Sequence, residues 1–500
     1  MTDRFVTVTT ADGALRGALG NGIKTFLGVP YAAAPVGELR FAEPAPVTPW
    51  TGVRDALEPG PTAPQQARRT FAGLDMFSVT GAEWRPGPEY LTANVWAPAA
   101  AHNAPVMVYI HGGGLVIGSK DAAVYSGARF ARDGVVAVNL NYRLGAEGFL
   151  PIPGAPTNLG LRDMLAGLRW VRRNIDAFGG DPENVTVFGE SGGAIAVACL
   201  MTSPLSRGLF RRAAVQSGHG SAVYPLEIAR RTVEALAKEL GVEASVDGFR
   251  SAGPGPTVAA LSRISRPGRL DLTDDNGYDP SFGLGKIDPV YGDDVLPHHP
   301  LRALARGAGA DVDLLIGTTS EEARFWFGPT RMQYLPRPAA RFLLRRMTPR
   351  ADELFTAYAR AFPAERGGAT LIRVLSDLSF RRPARQFAQA HPGRTHMYEF
   401  EWRSPAAGGR LGAAHGMELP FVFDTLDTVT GPGKLAGDNP PQSLADHTHR
   451  LWIDFAATGE LPWPPFDPRT RPVYQIARRE PIHEEPLVAT TLLESSGSVT

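Results

Sequence analysis

Cysteine is nearly absent from this chain: Cys199 is the only one, so no internal disulfide can form and a disulfide-stapled scaffold is excluded. No apolar run approaches the roughly 20 residues that span a bilayer. A surplus of either charge is also missing, with 51 Lys plus Arg against 51 Asp plus Glu, which gives no electrostatic footprint for nucleic acid or an acidic membrane. Clustered Cys and His or an HExxH pattern would mark a metal, and the chain has neither; no metal and no cofactor are expected. Gly283-Leu284-Gly285-Lys286 has the outline of a phosphate loop, but Ile287 stands where Ser or Thr is needed. The opening residues Met1 to Val8 alternate like an edge strand and lack the apolar stretch of a signal peptide. Together with the lone thiol, which reads as a small buried filler, this predicts a cytoplasmic protein acting on small molecules, without nucleic-acid or membrane partners. Monomer and dimer both stay open.

What remains is a chain of 500 residues, 43% apolar, enough for one large core. Phe5 to Thr10, Gly13 to Leu19 and Ile23 to Val29 alternate between Asp-Gly and Asn-Gly turns and predict an antiparallel opening. A Pro-rich passage from Pro30 to Pro64 carries Tyr31, Phe41 and Trp50 as anchors and reads as ordered coil. Strands are expected at Leu91 to Trp96, Val106 to Ile110, Gly134 to Tyr142, Leu209 to Gln216, Asp313 to Thr318 and Thr395 to Trp402. The apolar spacing of Leu161, Leu165, Leu168, Val171 and Ile175 predicts a helix. Further helices are expected at Leu226 to Leu240, in an Arg-rich block from Ala339 to Phe362, and near Asp446 to Thr458. Ser251 to Pro256 and Asn276 to Gly285 read as irregular. Strands alternating with helices predict an α/β fold, a mostly parallel sheet covered on both faces. The chain reads as one domain, 1–500, with capping inserts at about 220–310 and 330–395 and a fraying tail at 495–500.

Phe188-Gly189-Glu190-Ser191-Gly192-Gly193 lies between the β-branched run Asn184 to Val187 and the small-residue run Ala194 to Ala198. That is a strand, an abrupt turn and a helix, the nucleophile elbow of α/β-hydrolases, in which glycines tolerate the strained turn around an exposed Ser. A Ser hydroxyl needs a base to take its proton, and the base needs an acid to hold its tautomer. In this fold the order along the chain is Ser, acid, His; Ser191, Glu322 and His415 follow it, each after an expected strand. His111-Gly112-Gly113-Gly114 ends another strand and offers backbone N–H groups to a developing oxyanion.

The chain resembles the type-B carboxylesterases, the cholinesterase and para-nitrobenzyl esterase family, over essentially its whole length. The resemblance rests on Phe26 to Ala32, Leu91 to Val95, His111 to Gly114, Asn141 to Gly145, Phe178 to Thr186, the elbow, Gly208 to Arg212 and His415 to Phe423. It implies an α/β-hydrolase fold and a serine ester hydrolase with Ser191 as nucleophile, His415 as base and Glu322 as orienting acid. The implied oxyanion hole is the N–H groups of Gly113, Gly114 and Gly192. Two departures stand out. Gly192 replaces the family's usual Ala, and Glu321-Glu322-Ala323 replaces its common Asp-Glu-Gly, so two adjacent carboxylates compete for one role. Tyr90 stands where extracellular members carry a disulfide cysteine, which resembles the bacterial branch.

His219 is the alternative base, while His111 reads as a shaper of its glycine loop. Arg143 and Asp163 read as a structural ion pair. Ser217 and Glu418 are candidates for holding His415 in place, with ordinary buried polar contacts as the alternative. Leu115, Phe325, Trp326, Met417 and Phe421 are candidate pocket lining, with plain core packing as the alternative, and suit small, largely apolar esters. An amidase or carbamate hydrolase with the same triad, and a silent binding protein on the same fold, are the competing functions. An imidazole of ordinary pKa predicts activity that falls as pH drops through roughly 6–7.

Overall fold

In the computed structural model, residues 4–66, 70–81, 84–282 and 285–494 are described. The expected tail at 495–500 and part of the Gly283–Lys286 segment lie outside them. Three strands open the chain, β1 (Arg4–Thr10), β2 (Gly13–Gly20) and β3 (Ile23–Pro30), paired antiparallel with Val6 opposite Gly17 and Ala18 opposite Thr25. Asn21 and Gly22 both take positive φ, 50° and 75°, as a two-residue hairpin turn requires. There follow β4 (Thr92–Pro98), β5 (Ala104–Ile110), β6 (Val136–Leu140), β7 (Gly180–Glu190) and β8 (Arg212–Gln216). The last four are β9 (Asp313–Thr319), β10 (Thr395–Phe400), β11 (Pro472–Gln475) and β12 (Glu480–His483).

These strands lie in one sheet in the order β1-β2-β3-β4-β6-β5-β7-β8-β9-β10-β11-β12, with the short strand Val53–Asp55 beside β2. From β6 through β11 every pairing is parallel. Parallel strands are buried on both faces, and β5 shows how one sequence serves two cores. Val106, Val108 and Ile110 pack on one side with Leu161, Leu165 and Val197. Met107 and Tyr109 point to the other, with Phe188, Phe423 and Trp452. Helices Leu159–Asn174 and Gly192–Thr202 cover the first face and Gln442–Thr458 the second.

The expected irregular stretch Ser251 to Pro256 is instead the junction of two helices, Val246–Ala252 and Pro254–Ile264. Gly253, at φ 74°, ends one, and Pro254 starts the next at the position where its missing N–H costs nothing. The expected helical block Ala339 to Phe362 is two helices, Arg337–Leu344 and Ala351–Ala361, separated by a turn that contains Pro349. Beyond them lie Gly367–Ser376, a π-helical turn Asp377–Arg381 and Arg382–Ala390, with no break in the helical run between them. This places helical segments after β8 and after β9, beside the carboxyl ends of the parallel strands, where open α/β sheets collect their ligands. Tyr31 and Phe41 are buried, and Trp50 donates to Ala14 O at 2.9 Å, which fixes the Pro-rich passage to the domain.

Candidate active site

Strand β7 ends at Glu190, and the helix Gly192–Thr202 starts two residues later, so Ser191 carries the whole reversal at φ 56°, ψ −123°. That region is costly for a residue with a side chain and persists only where the surroundings enforce it. The surroundings here are the glycines. A Cβ on Gly189 would lie 2.6 Å from Gly193 O, and one on Gly193 would lie 2.1 Å from Ile110 O. Strand and helix therefore cross at backbone contact. Gly192 is close to a second element, since a Cβ there would lie 3.2 Å from Gly114 N and 2.9 Å from Leu115 N. The N-terminus of the helix thus abuts the Gly-rich loop, and N–H-bearing backbone from both surrounds Ser191. Ser191 is half-buried, and its hydroxyl has no hydrogen-bond partner among the described residues.

His415 is brought in by backbone pairing with the segment after β9: Glu321 N donates to Ala413 O at 3.1 Å, and His415 N donates to Glu322 O at 3.2 Å. Of the two adjacent carboxylates, Glu322 reaches the imidazole, with Nδ1 and Oε2 2.6 Å apart. Its other oxygen accepts from Thr319 N at 2.8 Å, and the side chain is wholly buried. Glu321 faces the other way, paired with Arg324 and Arg403.

Nε2 of His415 lies 3.2 Å from Glu190 Oε1, and neither atom makes an aligned hydrogen bond. A bare imidazole nitrogen and a bare carboxylate oxygen would repel at that distance, so a proton belongs between them. The electrostatics agree. Burial alone would press the pKa of His415 down, but Glu190, Glu322 and the more distant Glu418 outweigh it and hold it up to about 9. Burial raises Glu190 to about 7, with His415 opposing and Glu322 reinforcing. Burial, then Glu190 and Glu322, lifts Glu418 to about 8. The value of 6–7 expected from an ordinary imidazole is thereby displaced upward, because three carboxylates share this interior with one cation.

Ser217, at φ 51°, donates to Glu418 Oε1 at 3.5 Å, the long limit of a hydrogen bond. His219 lies in a different setting. Its Nε2 bonds Ser379 O at 2.8 Å, its Nδ1 accepts from Ser221 N at 3.1 Å, and burial lowers its pKa to about 4. Both nitrogens are committed to backbone, which removes it as a base. His111 stacks on Tyr142 with ring centres 4.5 Å apart, its Nδ1 2.9 Å from Gly112 O, and burial lowers it to about 4, so it shapes the loop. Arg143 and Asp163 form a fully buried pair at 2.6 Å. Among the described residues, no cluster of three His, Cys, Asp or Glu is placed to hold a metal, and no helix is long and apolar enough to cross a membrane.

The candidate lining residues divide. Phe325 and Trp326 are half-buried beside the imidazole, with ring centres 6.3 and 5.0 Å from it. Leu115, Met417 and Phe421 have no exposed surface and belong to the core, Phe421 packing on Phe400 and Trp402. For Phe421, the helical turn Leu419–Val422, buried along its length, directs the side chain inward. Two aromatics were missed. Phe380, from the π-helical turn, lies 4.7 Å from the His415 ring and stacks on Trp326. Phe71, from the short hairpin strand Thr70–Phe71, stacks on Phe325 at 5.1 Å. Neither sits in a motif. Glu190 was inside the elbow motif, but only the fold reveals that its carboxylate meets His415.

Residues 4–489 match the carboxylesterase family. The chain is 36% identical to para-nitrobenzyl esterase of Bacillus subtilis (strain 168), with 93% of each chain covered. It is 34% identical to phenmedipham hydrolase of Pseudarthrobacter oxydans, over 93% of this chain and 94% of that one. Acetylcholinesterase of Bungarus fasciatus is 30% identical, over 96% of this chain and 84% of the relative. Among solved structures, a PNB esterase superposes with a TM-score of 0.80 at 33% identity, covering 94% of this chain and 95% of the other. A carboxylesterase of Geobacillus stearothermophilus gives 0.75 at 31%, covering 94% and 96%. With the family model matched over nearly the whole chain and the fold shared with solved PNB esterases, the chain belongs to the carboxylesterase family of ester-hydrolysing enzymes.

Proposed function

We propose that the chain hydrolyses small, largely apolar carboxylic esters through an acyl-enzyme on Ser191. The observation that carries this reading is the 2.6 Å contact of His415 Nδ1 with the buried Glu322, at the end of the sheet where the elbow presents Ser191. With Nδ1–H donated to Glu322, the neutral imidazole keeps its lone pair on Nε2, the tautomer a general base needs. Ser191 Oγ adds to the ester carbon as its proton passes to Nε2. The carbonyl electrons move onto oxygen, which the N–H groups of Gly113, Gly114 and Gly192 receive. One such donor is typically worth about 2.7–4 kcal/mol of barrier. The tetrahedral adduct collapses as His415 returns the proton to the departing alcohol, and water then repeats the sequence to free the acid.

The half-buried rings of Phe325, Trp326 and Phe380 around the imidazole support an apolar acyl or alcohol group. Glu418, bonded to Ser217, acts on His415 through its charge. A cytoplasmic, reducing compartment is part of this reading, because the single thiol is free and buried and can form no internal disulfide. The test is labelling by a fluorophosphonate probe together with hydrolysis of p-nitrophenyl butyrate. Wild type is expected to label and turn over, and Ser191→Ala to lose both, with a fall of about 10³-fold or more. A folded wild type that neither labels nor hydrolyses supports the silent binding protein instead. Equal rates on matched ester and anilide substrates would favour the amidase reading.

A further inference from the structure

The loop that carries Gly113 and Gly114 is held at its far end by residues outside the triad. Gln65 is buried, and its side-chain amide pairs twice with one backbone unit. Gly118 N donates to Gln65 Oε1 at 2.8 Å, and Gln65 Nε2 donates to Gly118 O at 2.9 Å. The same Nε2 lies 3.3 Å from Ala63 O, which ties the amide to its own segment. A side chain here makes the paired bonds that a neighbouring strand would make.

Gly118 transmits that hold. At φ 120° it lies so close to the start of the loop that a Cβ would sit 2.4 Å from His111 Nδ1 and 2.6 Å from Gly112 O. Gly113 is closed onto the same end: its carbonyl accepts from Ile117 N at 3.1 Å and Val116 N at 3.2 Å, and a Cβ on it would sit 2.1 Å from Ile117 O. With no slack between 112 and 118, a shift at Gly118 moves Gly113.

A second tie follows immediately. Lys120 is buried; its Nζ donates to Asp121 Oδ1 at 2.7 Å and Pro59 O at 2.8 Å, and its backbone N–H donates to Asn141 Oδ1 at 2.9 Å. Asp121 also accepts from Asn94 Nδ2 at 2.8 Å and Ser119 Oγ at 3.1 Å, and pairs with Arg85. Asn94 Oδ1 in turn accepts from Gly28 N at 3.0 Å, and Tyr31 OH donates to Asn141 O at 2.5 Å. Buried ion pairs are weak sources of stability, so one held by this many neighbours beside the Gly-rich loop points to a role in geometry.

We propose that Gln65 is a positioning residue for the oxyanion loop. With the Lys120–Asp121 pair behind it, Gln65 fixes the distance of the Gly113 and Gly114 N–H groups from Ser191. This rests on the oxyanion-hole reading above. Because a misplacement of about 1 Å can cost on the order of 10²-fold in rate, loss of the two bonds should be felt in the transition state more than in substrate binding.

The test replaces Gln65 with Met, which keeps the volume and removes both bonds, and with Glu, which keeps only the acceptor. The probe is an alkyl trifluoromethyl ketone. Ser191 Oγ adds to its carbonyl carbon, the proton passes to His415, and the carbonyl electrons end on the oxygen that the loop holds. Fluorophosphonate titration counts folded sites, so a folding defect appears as fewer sites and not as a lower rate per site. The expected result is that Gln65→Met lowers kcat per site on p-nitrophenyl butyrate by about tenfold or more, with KM within about twofold, and weakens the ketone by a similar factor. Gln65→Glu is expected to fall between. Unchanged kcat and ketone affinity per titrated site in both variants would overturn the role of Gln65. A wild type that turns over the ester but does not hold the ketone would overturn the oxyanion hole itself.

Discussion

Two groups of buried carboxylates lie close together in this molecule and are treated in opposite ways. Around β10, Glu399 is met by Arg381 at 2.6 Å, Arg385 at 3.2 Å and Gln475 at 3.2 Å, while Asp377 and Glu484 pair with the same arginines. Burial would raise Glu399, but Arg381 and Arg385 overcome it and bring its pKa to about 2. Around His415, Glu190, Glu322 and Glu418 have no arginine or lysine partner among the described residues, and burial lifts Glu190 and Glu418 to about 7 and 8. The only cation offered to them is the imidazolium of His415. Guanidinium-neutralised acids lock an element in place, whereas acids left short of positive charge hold a titrating histidine ready to be charged.

The largest expected effect breaks the comparison at the triad. Glu322→Gln keeps shape but removes the charge that fixes the Nδ1–H tautomer, and kcat should fall about 10³- to 10⁴-fold while the folded fraction holds. Stopped-flow or steady-state hydrolysis per titrated site measures it. A loss below about tenfold would move the acid role elsewhere, with Glu190 as the nearest carboxylate left to the imidazole.

The next effect is on stability and comes from the other cluster. Arg381→Leu leaves Asp377 buried without its guanidinium and Glu399 with Arg385 alone, and unpaired buried charge typically costs about 3–5 kcal/mol. Denaturant unfolding should show that loss. The sign with pH follows from the low pKa of Glu399. The stability it contributes is present above its usual value of 4.5 and is lost as pH falls toward about 2, so the wild type is expected to weaken over that interval and the variant, which keeps Arg385, to show a smaller dependence. A variant as stable as wild type would mean that the network is dispensable to the cap that carries Phe380.

How far the sequence reached follows the same division. Local patterns revealed the elbow, since its glycines answer to backbone contacts a few residues away, and they revealed the parallel strands, whose two buried faces leave an unbroken apolar run. Motif order placed Glu322 and His415 and favoured Glu322 over Glu321; in the fold the two adjacent carboxylates point to opposite partners, Glu322 to the imidazole and Glu321 to Arg403. Ser251 to Pro256 reads as irregular from its composition although Pro254 begins a helix, a matter of position that composition does not reveal. Phe71, Phe380 and Gln65 were out of reach because their roles depend on segments far along the chain, around Phe325, His415 and Gly118. Met417 and Phe421 erred in the opposite sense, since nearness along the chain stood in for direction of the side chain.

The smallest effect sharpens the comparison by titration. With His415 as the proposed base, the rate requires its Nε2 without a proton, and in the resting site that nitrogen lies 3.2 Å from Glu190 Oε1. Because the carboxylates raise the imidazolium to about 9 against the effect of burial, the rate should still be climbing between pH 7 and 9 and not level off at 7. Removing a neighbouring negative charge lowers the pKa of a cation, so Glu190→Gln should move this limb toward acid by about one unit or more. Glu418→Gln should move it the same way by less, since Glu418 ranks below both Glu190 and Glu322 in its pull on His415. The pH dependence of kcat/KM with an uncharged ester checks all three, and it reports the protons of the His415 and Glu190 pair together. If Glu190→Gln leaves the limb where it was, the charge beside Nε2 is not what sets the base, and the contrast with the arginine-bound cluster loses its functional meaning.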